Sequence, residues 1–177
     1  MSIETGLGPR SKFESLQFMI AALVLVSMVG IIAIVLGFQH IGGYIPCALC
    51  LEQRIPYYVG IPAVFLALIS AWQQWPVQFT RGLLAIGFIT LCVTAIQGSY
   101  HSGVEWGWWQ GPTECSAAVG GTSSTTDLLA DLASTKAPSC NDAAGRFLGL
   151  SFAGWNVVAA LGLAAIAFKG AFGRNNA

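Results

Sequence analysis

The chain has 177 residues, of which 55% are hydrophobic and only 9% are charged. A soluble domain carries about 25% charged residues, so this composition indicates a membrane protein. The formal net charge is zero, which argues against nucleic acid as a partner. The lipid bilayer is therefore the first partner that the composition predicts.

Four long runs without charged residues follow one another along the chain, at about 16–38, 55–72, 82–98 and 147–168. The first is long enough as a helix to cross a bilayer with some tilt, and the third is somewhat short. We therefore predict an all-α membrane protein, a bundle of four transmembrane helices that forms a single domain over residues 1–177. The connections at 39–54 and 99–146 are then two loops on the same side of the membrane.

Two cysteines three residues apart, Cys47 and Cys50, lie in the first of these loops, and Arg54 follows four residues later. If the stretch starts a helix, both cysteines share a face and Arg54 lies one turn beyond Cys50. A cation at that distance favours the thiolate, which is the nucleophilic form of cysteine. The motif therefore predicts thiol redox chemistry, and a plain interfacial anchor is the alternative role for Arg54.

The long loop carries a second pair, Cys115 and Cys140. Between them, the pattern around 124–132 predicts a short amphipathic helix that lies on the membrane surface. One interpretation of the pair is a structural disulfide that staples the loop. The other is a redox-active disulfide, which exchanges with a soluble dithiol protein and then with the first cysteine pair.

Zinc is a competing interpretation, because four cysteines with His40 and His101 nearby could supply a tetrahedral site. The 24 residues that separate Cys115 from Cys140 form no zinc knuckle, which counts against this interpretation. His40 is expected to be an interfacial hydrogen-bonding residue. His101 directly follows the third span, where a ligand pocket on the outer face is expected.

The basic residues set the predicted orientation. The N-terminus, the connection at 73–81 and the C-terminus share one side, whereas the two cysteine loops share the other. More basic residues lie on the first side, so both termini are predicted to be cytoplasmic. The residues on that side are Arg10, Lys12, Arg81, Lys169 and Arg174.

Taken together, these residues resemble the DsbB family of membrane disulfide-forming proteins. The resemblance covers about Leu16 to Phe168, and the two cysteine pairs in a four-span frame are its most specific part. The matching segments are Phe38-Gln39-His40, Pro46-Cys47-Ala48-Leu49-Cys50 with Arg54, Tyr100-His101, the pair Cys115 and Cys140, and Phe147-Leu148-Gly149-Leu150.

The resemblance implies a quinone-dependent protein-thiol oxidoreductase of the bacterial inner membrane. Such a protein reoxidises a periplasmic, thioredoxin-fold DsbA-like partner and passes the electrons to ubiquinone or menaquinone. The resemblance implies no metal.

The same resemblance gives each site residue an expected role. Cys115 would form the mixed disulfide with the partner, and Cys140 would then attack Cys47. Cys50 would be the sulfur next to the quinone ring. The further quinone-binding residues would be Arg54 and His101.

Two other classes of protein stay open. A vitamin-K-epoxide-reductase-like protein also combines four spans, a Cys-x-x-Cys motif and a quinone. In that family the motif belongs near the last span of the core, whereas here it precedes the second span. The non-enzymatic alternative is a membrane or assembly protein whose outer cysteines are only staples or metal ligands.

Overall fold

The computed structural model describes residues 12–112, 140, 143 and 145–173, with side chains from residue 15 onward. Cys115 and the predicted amphipathic helix around 124–132 lie outside the described residues. The described elements are helices α1 (Lys12–His40), α2 (Ala48–Glu52), α3 (Ile55–Trp72) and α4 (Val77–Glu105), strands β1 (Arg146–Phe147) and β2 (Leu150–Ser151), and helix α5 (Phe152–Phe172).

Within the described part of the chain, four helical segments are long and apolar enough to cross a membrane, and α2 and α3 together form the second of them. Their outward surfaces are apolar, since Val26 on α1 and Ile96 on α4 are each 70% exposed. Such side chains would be unfavourable in water and are suited to lipid. The predicted four-span membrane fold is confirmed, and the protein is a multi-pass membrane protein.

The four long helices form a ring in which α1 packs against α3, α3 against α4, α4 against α5, and α5 against α1. Small side chains at the contacts allow close approach of the backbones, as is usual in membrane bundles. On α4, Gly87 lies so close to Val64 of α3 that an added Cβ would be 2.6 Å from the valine Cγ2. The core is completed by the buried Ala67, Leu91, Ala160 and Ala164.

Helix α4 is longer than the predicted span 82–98. It begins at Val77 and continues through His101 to Glu105, so seven residues that were predicted to belong to the long loop are helical. Gly107, with φ of 73°, then ends the helix in the left-handed conformation that glycine adopts without strain. The polar residues before this glycine do not stop a helix, although they end the apolar run from which the span was predicted.

Helix α5 begins five residues later than the predicted fourth span. Residues 146–151 form a tight hairpin, in which Phe147 pairs with Leu150. Both turn residues, Leu148 and Gly149, have positive φ, as a two-residue hairpin turn requires. Ser151 then caps α5 by accepting a hydrogen bond from the backbone N–H of Gly154 at 3.2 Å.

A candidate dithiol site at one end of the bundle

The two cysteines of the Cys-x-x-Cys motif are positioned by the start of α2, as the motif predicted. Cys47 is the N-cap residue, and its sulfur accepts a hydrogen bond from the backbone N–H of Cys50 at 3.2 Å. Both cysteines carry free thiols. Cys47 is buried and Cys50 is half-buried, and both line one cavity.

Arg54 lies at the junction between α2 and α3, because α2 ends after little more than one turn. Its side chain is 7% exposed, and Nη1 donates a hydrogen bond to Oε1 of Gln39 at 2.6 Å. Its Nε is buried and has no hydrogen-bond partner among the described residues. Arg54 interacts electrostatically with Cys50, and both residues line the same cavity.

Cys140 is 1% exposed and packs in a small apolar cluster with Cys47, Leu49 and Val104. It is disulfide-bonded. The fold therefore places a disulfide-bonded cysteine of the long loop in one buried cluster with the first cysteine of the motif. This placement agrees with both the staple and the relay interpretations of Cys140, whereas the position of Cys115 lies outside the described residues.

His101 lies on the part of α4 that extends beyond the predicted span, and it is 4% exposed. Its Nε2 lies 3.7 Å from the sulfur of Cys47 and 3.7 Å from Oε1 of Glu105. The other predicted histidine, His40, is exposed at the end of α1 and does not line the cavity.

A chain of amides joins His101 to α3 and α5, and the sequence alone did not reveal it. Nε2 of Gln53 donates a hydrogen bond to Nδ1 of His101 at 2.6 Å. Oε1 of Gln53 accepts from Nδ2 of Asn156 at 3.0 Å, and Oδ1 of Asn156 accepts from the Tyr57 hydroxyl at 2.7 Å. The residues come from three elements, so only the tertiary fold brings them together.

These groups surround a cavity of about 460 Å³ between α1, α2, α4 and α5. Its walls are apolar on the α1 and α5 sides and polar near the dithiol. This division fits a ligand with a polar head and an apolar tail. The apolar wall includes Ile31, Ile34, Val35, Phe38 and Ala159, and the polar end includes Gln39, Cys50, Arg54, His101 and Glu105.

The pKa of the Cys47 thiol is raised above its ordinary value. The first cause is the hydrogen bond with the Cys50 side chain, and the second is burial. The two thiols are therefore unequal, and Cys47 is the one that retains its proton near neutral pH.

The sulfurs of Cys47 and Cys50 and a ring nitrogen of His101 lie within 4.8 Å of one another, so these three donors could hold a metal ion. Zinc bound through histidine Nε2 requires the other ring nitrogen to carry the proton and to donate it to an acceptor. Here Nδ1 faces the amide nitrogen of Gln53, which is itself a donor. This arrangement does not favour a zinc site.

The fold and the site define a four-helix membrane protein with a dithiol beside an apolar cavity. Comparison with known sequences then identifies its family. Residues 17–169 match the family model for disulfide bond formation protein DsbB. The chain therefore belongs to the DsbB family.

Two relatives match the chain over most of its length, and the first carries the family name. Disulfide bond formation protein B of Saccharophagus degradans is 30% identical over 155 residues, which cover 82% of this chain and 87% of the relative. The uncharacterized protein RP370 of Rickettsia prowazekii is 29% identical over 146 residues, which cover 80% of this chain and 81% of the relative. No solved structure matches the chain significantly. Family membership assigns a disulfide-forming oxidoreductase role.

Proposed function

We propose that this protein is a quinone-dependent thiol oxidase of the bacterial inner membrane, with its cysteine loops in the periplasm. It would reoxidise a soluble, thioredoxin-fold DsbA-like dithiol protein and pass two electrons and two protons to ubiquinone or menaquinone. The observation that carries the proposal is the burial of Cys140 in one apolar cluster with Cys47, beside a cavity that Cys47 and Cys50 both line. Sulfurs that exchange disulfides must meet in this way.

In the proposed sequence, a thiolate of the partner attacks Cys115 in a Cys115–Cys140 disulfide, and Cys140 leaves as a thiolate. When the second partner thiol resolves the mixed disulfide, the partner is oxidised and the loop holds two thiols. The Cys140 thiolate then attacks Cys47 in a Cys47–Cys50 disulfide, so that a Cys140–Cys47 bond forms and Cys50 leaves as a thiolate. The Cys115 thiolate next attacks Cys140, which restores the Cys115–Cys140 disulfide and releases Cys47, so that Cys47 and Cys50 form the dithiol that would supply two electrons and two protons.

The Cys50 thiolate is the group from which electrons would leave for the quinone, which is the oxidant of the whole reaction. Arg54 supports this assignment because it is a buried cation beside Cys50, with an Nε that has no partner among the described residues. A guanidinium in this position can donate a hydrogen bond to a quinone oxygen and stabilise the thiolate. Ile34 and Phe38 lie on the apolar wall, where they can contact an apolar tail.

The partner half of the proposal can be tested by trapping. A thioredoxin-fold partner that retains only its nucleophilic cysteine cannot resolve the mixed disulfide. We expect it to accumulate as a covalent complex with the wild-type protein and with Cys92→Ser, but not with Cys115→Ser. A complex that persists in Cys115→Ser would contradict the assigned entry point.

A further inference from the structure

The imidazole of His101 has one ring nitrogen fixed by its surroundings. Nδ1 receives a hydrogen bond from Nε2 of Gln53 at 2.6 Å. A nitrogen that accepts a hydrogen bond carries no proton, so the proton of the neutral ring must be on Nε2. The tautomer of His101 thus depends on which end of the Gln53 amide faces the ring.

The orientation of the Gln53 amide is set by two further contacts. Its Nε2 also donates to the backbone carbonyl of Leu49 at 3.3 Å. Its Oε1 accepts from Nδ2 of Asn156, and Asn156 in turn accepts from the Tyr57 hydroxyl through Oδ1. If the Gln53 amide were reversed, its oxygen would face the Leu49 carbonyl and its nitrogen would face the Asn156 amide nitrogen. Both contacts would be unfavourable because like would meet like.

We propose that Gln53 is a positioning residue that holds His101 in the tautomer with the proton on Nε2, so that this proton is donated to the sulfur of Cys47. The chain Tyr57–Asn156–Gln53 fixes the amide, and the amide fixes the ring. The tautomer itself requires neither a quinone nor a partner protein. Its use in turnover rests on the proposed function.

The Nε2 proton of His101 has a use during turnover because of the chemistry of the disulfide exchange step. When the Cys140 thiolate attacks Cys47, negative charge spreads over the three sulfurs as one S–S bond forms and the other breaks. A fixed N–H donor at the central sulfur stabilises that charge without having to reorient. Among the described residues, Nε2 of His101 is a side-chain donor in this position, 3.7 Å from the Cys47 sulfur and 3.7 Å from Oε1 of Glu105.

The test is direct because the chain has only 2 histidines. The reduced protein is labelled with ¹⁵N-histidine and studied by NMR in detergent at about pH 8, above the ordinary imidazole pKa of about 6.5. The signals of the exposed His40 are assigned with His40→Asn. We expect a proton bonded to Nε2 of His101 and none on Nδ1.

Gln53→Glu is the informative variant, because its carboxylate has nearly the same shape as the amide but can only accept. We expect the proton to move from Nε2 to Nδ1 in this variant. Gln73→Glu, an exposed change far from the site, is the matched control and should leave the tautomer unchanged. A proton on Nδ1 in the wild type, or on Nε2 in Gln53→Glu, would overturn the proposal.

A zinc determination distinguishes this proposal from a metal site, and a quinone-reduction assay distinguishes it from the proposed function. Stoichiometric zinc in the purified reduced protein, bound through Nε2 of His101, would also overturn it, because Nε2 would then be a ligand. The tautomer measurement uses no quinone and no partner. A protein that shows the expected tautomer shift but reduces no quinone would therefore uphold the positioning role while refuting the proposed function.

Discussion

The two sulfurs of the Cys-x-x-Cys motif have different surroundings, which suits different tasks. Cys47 is buried in a cluster with Cys140 and lies 3.7 Å from Nε2 of His101, whereas Cys50 is half-buried. Both cysteines line the cavity that Arg54 also lines, and Cys50 is the more accessible of the two. This asymmetry arises because Cys47 is the N-cap of α2 and Cys50 lies within its single turn.

The raised pKa of Cys47 gives a pH-dependent prediction. A thiol whose pKa lies above its ordinary value has a smaller thiolate fraction at any given pH, so its alkylation is slower. In the reduced protein at about pH 8.5, where an ordinary thiol is about half ionised, we expect iodoacetamide to modify Cys47 far more slowly than an exposed cysteine. Mass spectrometry of the modified peptides measures both rates.

Replacing Cys50 removes the first cause of the shift, which is the hydrogen bond with its side chain. The alkylation of Cys47 in Cys50→Ala should therefore begin at a lower pH than in the wild type. Cys92→Ala, which leaves the motif intact, is the control. The same pH profile for Cys47 in wild type and Cys50→Ala would show that the assigned cause is incorrect.

Arg54 gives a prediction for quinone binding. A hydrogen bond to a charged group contributes about 1.5–3 kcal/mol, which is roughly ten- to more than a hundredfold in affinity. We expect Arg54→Met to raise the KM for a short-chain quinone analogue by at least about tenfold, with Arg54→Lys losing less. Unchanged KM in both variants would mean that Arg54 only anchors the helix at the interface.

Individual site residues were predictable to different degrees. Cys47, Cys50 and Arg54 lie within eight positions of one another in the sequence, so their proximity could be predicted although α2 ends before Arg54. Gln53 could not be predicted, because its partners His101 and Asn156 are 48 and 103 positions away. No local pattern indicates a contact of that kind.

At the scale of the elements, the length of α4 determines the composition of the site. The added turns beyond residue 98 carry His101 and Glu105 to the level of the dithiol. Apolar runs predict where a helix lies within the membrane, and the helix itself continues until a residue such as Gly107 ends it. The hairpin before α5 was not predicted, because one of its turn residues is Leu148. Leucine is rarely found at positive φ and therefore does not indicate such a turn.

The contact between α3 and α4 gives a stability prediction. A Cβ added at Gly87 would lie 2.6 Å from Cγ2 of Val64, and an added Cβ at Gly82 on the same helix would meet nothing within 4 Å. Overpacking of this kind costs about 1–3 kcal/mol. We expect Gly87→Ala to lower the midpoint of thermal unfolding in detergent and Gly82→Ala to leave it unchanged or raise it. Equal midpoints for the two variants would contradict the close packing of α3 on α4.

Across the bundle as a whole, hydrogen bonds join α4 to the last turn of α5 at the end opposite the dithiol. Arg81, near the start of α4, donates through Nε to the carbonyl of Ala171 at 2.6 Å and through Nη2 to that of Gly173 at 3.2 Å. These are among the last carbonyls of α5, which have no partner within the helix. The four spans could be predicted from hydropathy alone, whereas these hydrogen bonds and the cavity depend on packing between helices that are distant in sequence.

In the proposed function, electrons pass through the molecule from a soluble dithiol to a quinone. The most direct measurement is the loss of quinone absorbance when the purified protein in detergent is mixed with a reduced DsbA-type protein. Wild type is compared with Cys50→Ser, Cys115→Ser and the control Cys92→Ser, using short-chain ubiquinone and menaquinone analogues. We predict rapid reduction in wild type and Cys92→Ser, and none in the other two variants. Turnover that persists in Cys50→Ser, or no reduction of either quinone by the wild type with a competent partner, would contradict the account.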